Sequence, residues 1–256
     1  MRLDRFLSAQ TSLTRSAASE AIRRGAVCVN GTAVRKPDAA VNPELDAVTL
    51  AGKPVSYEQF VYYLLHKPTG VLTAARDKKQ PTVLDLIKPE DRRRGIAPSG
   101  RLDKDTSGML LLTDDGQLSH QLISPRHHTA KYYLARLRDP YRPEYAEQFR
   151  AGIFLREGDR EEQCLPAECV PVGGQLALLR LREGKYHQVR RMFAAAGNFV
   201  IDLLRVQIGA LPLPPELPKS AYQKLSTKDI SLLCEDSSIS SVRAFCIQHY
   251  SSYWIK

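Results

Sequence analysis

The stretch Pro98-Ser99-Gly100-Arg101-Leu102-Asp103-Lys104-Asp105-Thr106-Ser107-Gly108-Met109-Leu110-Leu111-Leu112-Thr113 constrains the fold more than any other part of the chain. Glycine and hydroxyl residues mark its first half as a turn, and the apolar run that follows reads as a buried strand. Asp103 therefore sits at the lip of a strand, held by a turn rather than a flexible loop. Such a position presents one carboxylate rigidly. The same residues imitate part of a calcium loop: Asp103, Asp105, Ser107 and Gly108 match its first, third, fifth and sixth positions, and Asp114 its last. Gly95, Pro98 and Gly100 forbid the entering helix, Leu111 is no ligand, and the closing acid is not Glu, so calcium is set aside. A solvated turn without chemistry is the other reading open to these residue types.

The chain has 256 residues, room for one large domain or two smaller ones. Its formal net charge of +9 suggests a polyanionic partner. No apolar run approaches the roughly 20 residues that span a bilayer, and the N-terminus lacks the apolar segment of a signal peptide. The cytoplasm is the expected compartment. Cys28, Cys164, Cys169, Cys234 and Cys246 have no metal spacing and are read as free thiols. His127-His128 has no evident third ligand, so no metal site is expected.

Residues 1–57 read as a small RNA-binding module. Leu3, Phe6 and Leu7 have helical spacing, and Ser12 or Thr14 caps a second helix that turns Ala17, Ala18, Ala21 and Ile22 inward. Val27-Cys28-Val29 enters an Asn30-Gly31 hairpin turn. Arg2, Arg5, Arg15, Arg23, Arg24, Arg35 and Lys36 are opposed through residue 36 only by Asp4 and Glu20. Basic residues bracketing two helices and a hairpin suggest phosphate contacts.

Residues 58–235 change texture. Strand-like runs at 61–65, 109–113, 132–137, 176–181 and 200–208 outnumber the helical segments at 83–87, 117–123, 143–150 and 187–196. They do not alternate strictly, which predicts an α+β domain with a mixed, largely antiparallel sheet. Residues 236–241 read as a linker, and the tail of 236–256, with Phe245, Tyr250, Tyr253 and Trp254, reads either as a short docking helix or as a disordered end, with no assigned role.

Gly100-Arg101-Leu102-Asp103-x-x-Thr106-Ser107-Gly108, with Thr113 closing the apolar run, resembles the signature of RNA pseudouridine synthases. More narrowly it resembles the RsuA family, which modifies ribosomal RNA. The N-terminal segment is similar to the ribosomal-protein-S4-like, or alpha-L, module. The resemblance implies a catalytic domain with a central cleft, Asp103 as the essential residue, and no cofactor. The reaction breaks the N1–C1′ bond of a uridine, turns the base and joins C5 to C1′. It asks for a carboxylate at the ribose, a base for the C5 proton, and an aromatic platform for the flipped uracil. Whether Asp103 acts as nucleophile or base stays open.

Lys131-Tyr132-Tyr133 resembles the family's Lys-x-Tyr segment. That register puts the stacking residue at Tyr133, and strand alternation sends Tyr132 to the opposite face. Glu183-Gly184-Lys185-Tyr186-His187-Gln188-Val189-Arg190-Arg191-Met192-Phe193 resembles a segment whose first basic residue ion-pairs with the catalytic carboxylate. The role falls on Arg190, a guanidinium that would hold Asp103 ionised. Lys67-Pro68-x-Gly70 and Leu203-Leu204-Arg205 are also family-like, although His66 and Leu204 replace the usual Asn and His. RNA contacts are expected at Lys67, Arg101, Lys131, Lys185, His187, Arg191 and Arg205.

The segment through Asn198 looks most like enzymes acting on one uridine of small-subunit ribosomal RNA. The expected partner is that RNA or an assembling subunit, met by a monomer. Large-subunit RNA and a non-catalytic RNA-binding protein are the rivals. A glycoside hydrolase would need two facing carboxylates, and pairing Asp105 with Asp103 leaves the Tyr and Arg segments unexplained.

Overall fold

The computed structural model describes residues 1–124, 127, 129–157, 160–251 and 253, with Glu157 and Arg160 as backbone only. At the N-terminus, α1 (Leu3–Gln10) and α2 (Arg15–Arg23) pack on a sheet of β1 (Val27–Val29), β2 (Thr32–Ala33), β3 (Val48–Leu50) and β4 (Lys53–Val55). The strand order is β2-β1-β3-β4, antiparallel throughout. Thr14 caps α2 by accepting from the Ala17 N–H at 3.1 Å. Asn30 (φ 51°) and Gly31 (φ 79°) supply the two left-handed residues of the hairpin turn. Leu3, Phe6, Leu7, Ala18, Ile22, Val27 and Val48 make one core. Ala18 and Ile22 point into it, whereas Ala17 and Ala21 are only half-buried.

The larger sheet is built from β5 (Tyr62–Lys67), β6 (Ala97–Ser99), β7 (Thr106–Thr113) and β8 (Lys131–Leu137), with β9 (Phe154–Glu157) and β10 (Arg160–Gln163) as a separate hairpin. It continues through β11 (Glu168–Gly173), β12 (Leu176–Leu181), β13 (Val200–Ile208), β14 (Leu211–Pro212) and β15 (Tyr222–Lys224). The order is β11-β12-β8-β13-β7-β5-β15, with β6 on β7 and β14 on β13. Among the described strands only β7 and β13 pair in parallel. This is the mixed, largely antiparallel sheet of an α+β domain. All eight residues of β7 are buried, as a continuous apolar run between two covered faces requires. The predicted helix at 83–87 is a single 3-10 turn, Val83–Leu86.

Helices α3 (Gly116–Ile123), α4 (Glu144–Ala151), α5 (Gln188–Ala195), α6 (Thr227–Cys234) and α7 (Ile239–Tyr250) flank the sheet. The tail takes the docked-helix form of its two expected forms, but the helix begins inside the expected linker. Ser238, inside the expected linker, caps α7 by accepting from the Ser241 N–H at 3.1 Å. The helix buries Val242, Cys246 and Tyr250 in the same core as Tyr132, Leu134 and Leu204. The Tyr250 hydroxyl donates to the Leu213 carbonyl at 2.8 Å. Tyr253 stacks on His66, at 6.3 Å between ring centroids. The segment is thus part of the domain core, while Trp254 lies outside the described residues. No described helix is long and apolar enough to cross a membrane.

Candidate active site

A cavity of about 550 Å³ opens on the sheet face opposite Tyr132 and α7, and Arg101, Asp103, Lys131, Tyr133, Tyr186 and Arg205 are among its lining residues. One row of residues in register runs through the sheet here, of which Arg205 and Tyr133 line the cavity: Lys67 on β5 faces Gly108 on β7, Gly108 faces Arg205 on β13, and Arg205 faces Tyr133 on β8. Residues directly opposite in a sheet share a face. Gly108 is obligatory in this row. Its φ is 114°, and a Cβ there would lie 2.4 Å from the Arg205 carbonyl oxygen and 2.5 Å from the Arg205 nitrogen. Tyr132 is wholly buried in the core behind, and half-buried Tyr133 lines the cleft, as alternation along β8 requires.

Asp103 lies in the turn between β6 and β7. The Thr106 N–H donates to the Asp103 carbonyl at 3.1 Å, and the Gly70 N–H to the Lys104 carbonyl at 2.7 Å. Lys67 Nζ holds the turn from beneath, donating to the carbonyls of Pro68 (3.0 Å), Asp103 (3.1 Å) and Thr106 (2.9 Å). Sequence reading placed Lys67 on RNA. Its exposure is 0%, so it cannot meet a phosphate, and it acts on the backbone of the turn instead. Burial pushes its ammonium down to about 8, against the pull of Asp105 and Asp103.

The expected pairing of Arg190 with Asp103 is not made. Arg190 Nη2 lies 2.9 Å from an Asp105 carboxylate oxygen and Nη1 donates to the Val200 carbonyl at 2.8 Å. The guanidinium ties the far end of the turn to the start of β13, while Asp103 lines the cavity. The side chain that meets the Asp103 carboxylate is instead His187, whose Nε2 is 3.6 Å from Oδ1. His187 adopts a left-handed conformation (φ 48°) at the N-cap of α5 and stacks on Tyr186 at 3.9 Å. That strained backbone brings the imidazole back toward the turn. The sequence pattern predicts an RNA contact for His187 and no role for Tyr186. The pairing of turn and helix start is long-range, and no local pattern encodes it.

Other expected RNA contacts divide in two. Arg5, Arg23, Arg35 and Lys36 are exposed on the module, as is Arg101 at the cleft. Arg2 and Arg15 share the buried Asp4, whose carboxyl they hold at about 2, and Arg24 pairs with Glu20. Lys185 is engaged by Glu162, Glu183 and the Gln163 carbonyl, and Arg191 donates to the carbonyls of Tyr186 and Arg156. Lys131 lines the cleft but its ammonium bonds the carbonyls of Leu122 and Thr129, each at 3.0 Å. Burial, with Arg205 nearby, pushes it down to about 8. Arg205 is buried, with 3% exposure, and is no surface phosphate contact. The described cysteines are unpaired thiols, and no group of three or more His, Cys, Asp or Glu among the described residues could hold a metal. His128, one of the dismissed histidine pair, lies outside the described residues.

A turn-held carboxylate, a half-buried tyrosine and a cleft lined by basic residues, joined to a basic module, make a candidate site for RNA modification. Residues 61–195 match the RNA pseudouridylate synthase family, and residues 1–46 match the S4 domain. The chain belongs to the RNA pseudouridylate synthase family, as an isomerase. It is 42% identical over 235 residues to the ribosomal small subunit pseudouridine synthase A of Pseudomonas aeruginosa, covering 90% of this chain and 99% of that protein. To an uncharacterized RNA pseudouridine synthase, YtzG, of Bacillus subtilis it is 38% identical over 237 residues, covering 92% and 99%. A crystal structure of a pseudouridylate synthase superposes with TM-score 0.63 at 37% identity, covering 91% of this chain and 99% of that one.

Proposed function

We propose that this enzyme converts one uridine of small-subunit ribosomal RNA to pseudouridine, acting as a cytoplasmic monomer. The observation that carries the reading is the convergence of Asp103 and Tyr133 on one cleft in a chain with a basic N-terminal module. Support for the small subunit comes from relatives bearing that name, in Pseudomonas aeruginosa and, at 41% identity, in Vibrio cholerae.

Asp103 acts at the ribose of the flipped uridine, as nucleophile at C1′ or as the base that begins elimination. Tyr133 lies against the uracil and serves C5 proton removal. Arg190 acts one step away: by binding Asp105 it fixes the turn that carries Asp103. Residues 1–57 supply affinity through phosphate contacts, and residues 58–235 the chemistry.

Tritium release from C5-tritiated uridine in small-subunit ribosomal RNA tests this, on naked RNA and on partly assembled subunits. Release by wild type and none by Asp103→Ala is expected. Release only from large-subunit RNA would overturn the substrate, and equal release by both proteins would overturn Asp103.

A further inference from the structure

Arg205 is a buried charged group in the cleft that the reading above leaves without a task. It is 3% exposed, yet no carboxylate among the described residues pairs with it. Nε donates to the Met109 carbonyl at 2.8 Å, Nη1 reaches the Tyr133 hydroxyl at 3.5 Å, and buried Nη2 has no partner. Its charged neighbours include the cations Lys67 and Lys131, both of which it disfavours. A buried guanidinium without a carboxylate is costly, and a second and third cation nearby raise that cost. Such a site favours an anion that arrives or forms there.

The isomerisation forms one. When N1–C1′ breaks, its electron pair stays with the base, leaving a uracil anion whose charge spreads over N1, O2 and O4. C1′ is taken up by an Asp103 oxygen, or the C2′ proton is lost to it. The turned base then uses a ring electron pair to form C5–C1′, as the bond from C1′ to the Asp103 oxygen breaks and frees the carboxylate, or as Asp103 returns the proton to C2′; C5 then loses its proton and N1 gains one. Both routes for Asp103 pass through the same anion. We propose that Arg205 stabilises this uracil anion, its guanidinium lying beside Tyr133 at the edge of the stacked base. The geometry suits it: Arg205 and Tyr133 are directly opposite across β13 and β8, and Gly108 leaves the position beside Arg205 without a side chain. Preorganised charge aimed at a developing anion acts in the transition state, with little effect on ground-state binding.

The inference rests on the cleft being the reaction site, so it is tested on whichever ribosomal RNA the wild type converts. Failure on small-subunit RNA then strikes the substrate assignment alone. Single-turnover rates of wild type, Arg205→Gln and Arg205→Lys are compared on RNA carrying uridine or 5-fluorouridine at the target. Fluorine stabilises the ring anion, so the leaving group needs less help. Arg205→Gln should lose about 10²- to 10³-fold on uridine, as for a missing oxyanion donor, with RNA affinity unchanged. On 5-fluorouridine, followed as rearranged product or enzyme-bound adduct, the loss should shrink by about tenfold or more. Arg205→Lys, which keeps a charge, should show the same ordering at smaller size and serves if Arg205→Gln does not fold. Equal losses on the two bases, in whichever variant folds, would overturn the proposal. So would a new C5-deuterium isotope effect in the variants, because Arg205 would then act through proton removal at Tyr133.

Discussion

On the N-terminal module Arg5, Arg23, Arg35 and Lys36 stand exposed, whereas in the cleft Lys67 and Arg205 are buried to 0% and 3% exposure. Both regions are basic, and the physical use of the charge is opposite. An exposed guanidinium keeps its hydration and counterions until a phosphate displaces them, so its contribution is affinity that fades with salt. A buried cation has already lost its water. Lys67 recovers part of that loss from backbone carbonyls and so fixes the turn of Asp103, and Arg205 recovers it incompletely. The lesson is that a basic chain can hold two populations of cations, one open to a polyanion and one buried beneath a site, and net charge counts them alike.

Lys67→Met breaks the comparison most severely if it is wrong. It should lower turnover by about 10²-fold or more, since a misplacement of about 1 Å at a reacting group is that costly, and leave RNA affinity nearly unchanged. Weakened binding with normal single-turnover rate would return Lys67 to the phosphate-binding class.

Next in size is removal of residues 236–256. This takes away Asp236, the shared carboxylate of Arg180 and Arg182, and uncovers the core that Val242, Cys246 and Tyr250 complete. A loss of several kcal/mol in stability is expected, at about 1.5–3 kcal/mol for each large apolar side chain. A truncated protein with wild-type urea midpoint would mean that α7 is dispensable.

On the module, the triple change Arg5→Ala, Arg23→Ala, Arg35→Ala should weaken RNA binding about tenfold at moderate salt. It should also flatten the slope of log affinity against log salt by about one for each phosphate no longer neutralised. Single-turnover rates at saturating enzyme should not change. A slope equal to wild type would show these arginines to be ordinary surface.

The smallest effect is in pH dependence, and it differs between the two regions. Asp4 titrates at about 2 when folded and near 3.8 otherwise, so the unfolded chain binds more protons between those values. The module's contribution is present above 3.8 and is lost as pH falls toward 2. Lys67 and Lys131 titrate at about 8 when folded and near 10.5 otherwise. Between pH 8 and 10 the unfolded chain again binds more protons, so stability from this source rises with pH. Urea midpoints should climb over that range less in Lys67→Met than in wild type; an equal climb would remove Lys67 as its source.

Much of the fold was legible because its signals are local. The Thr14 cap, the Asn30-Gly31 turn and the unbroken apolar run of β7 each depend on a few adjacent residues. The split between Tyr132 and Tyr133 follows from strand alternation alone. A docking helix was one of two readings of the tail, but where α7 starts and what it docks on were not legible, because a serine-rich start reads as linker until a core is there to receive Val242 and Tyr250. The partner of Arg190 was also misread. Asp103 and Asp105 are two residues apart in one turn, and only the placement of α5 over its far end selects Asp105.

The sequence by itself determined the main strands and most of the helices, the motif turn ahead of a buried strand, and the presence of a basic N-terminal module. These follow from steric preference and apolar periodicity, which act within a few residues. The tertiary structure alone decided what each cation does. Lys67 meets the turn of Asp103 across 36 residues, and Arg205 meets Met109 across 96. Whether a charge holds a turn, faces a reacting base or waits for a phosphate depends on which distant backbone has taken away its water.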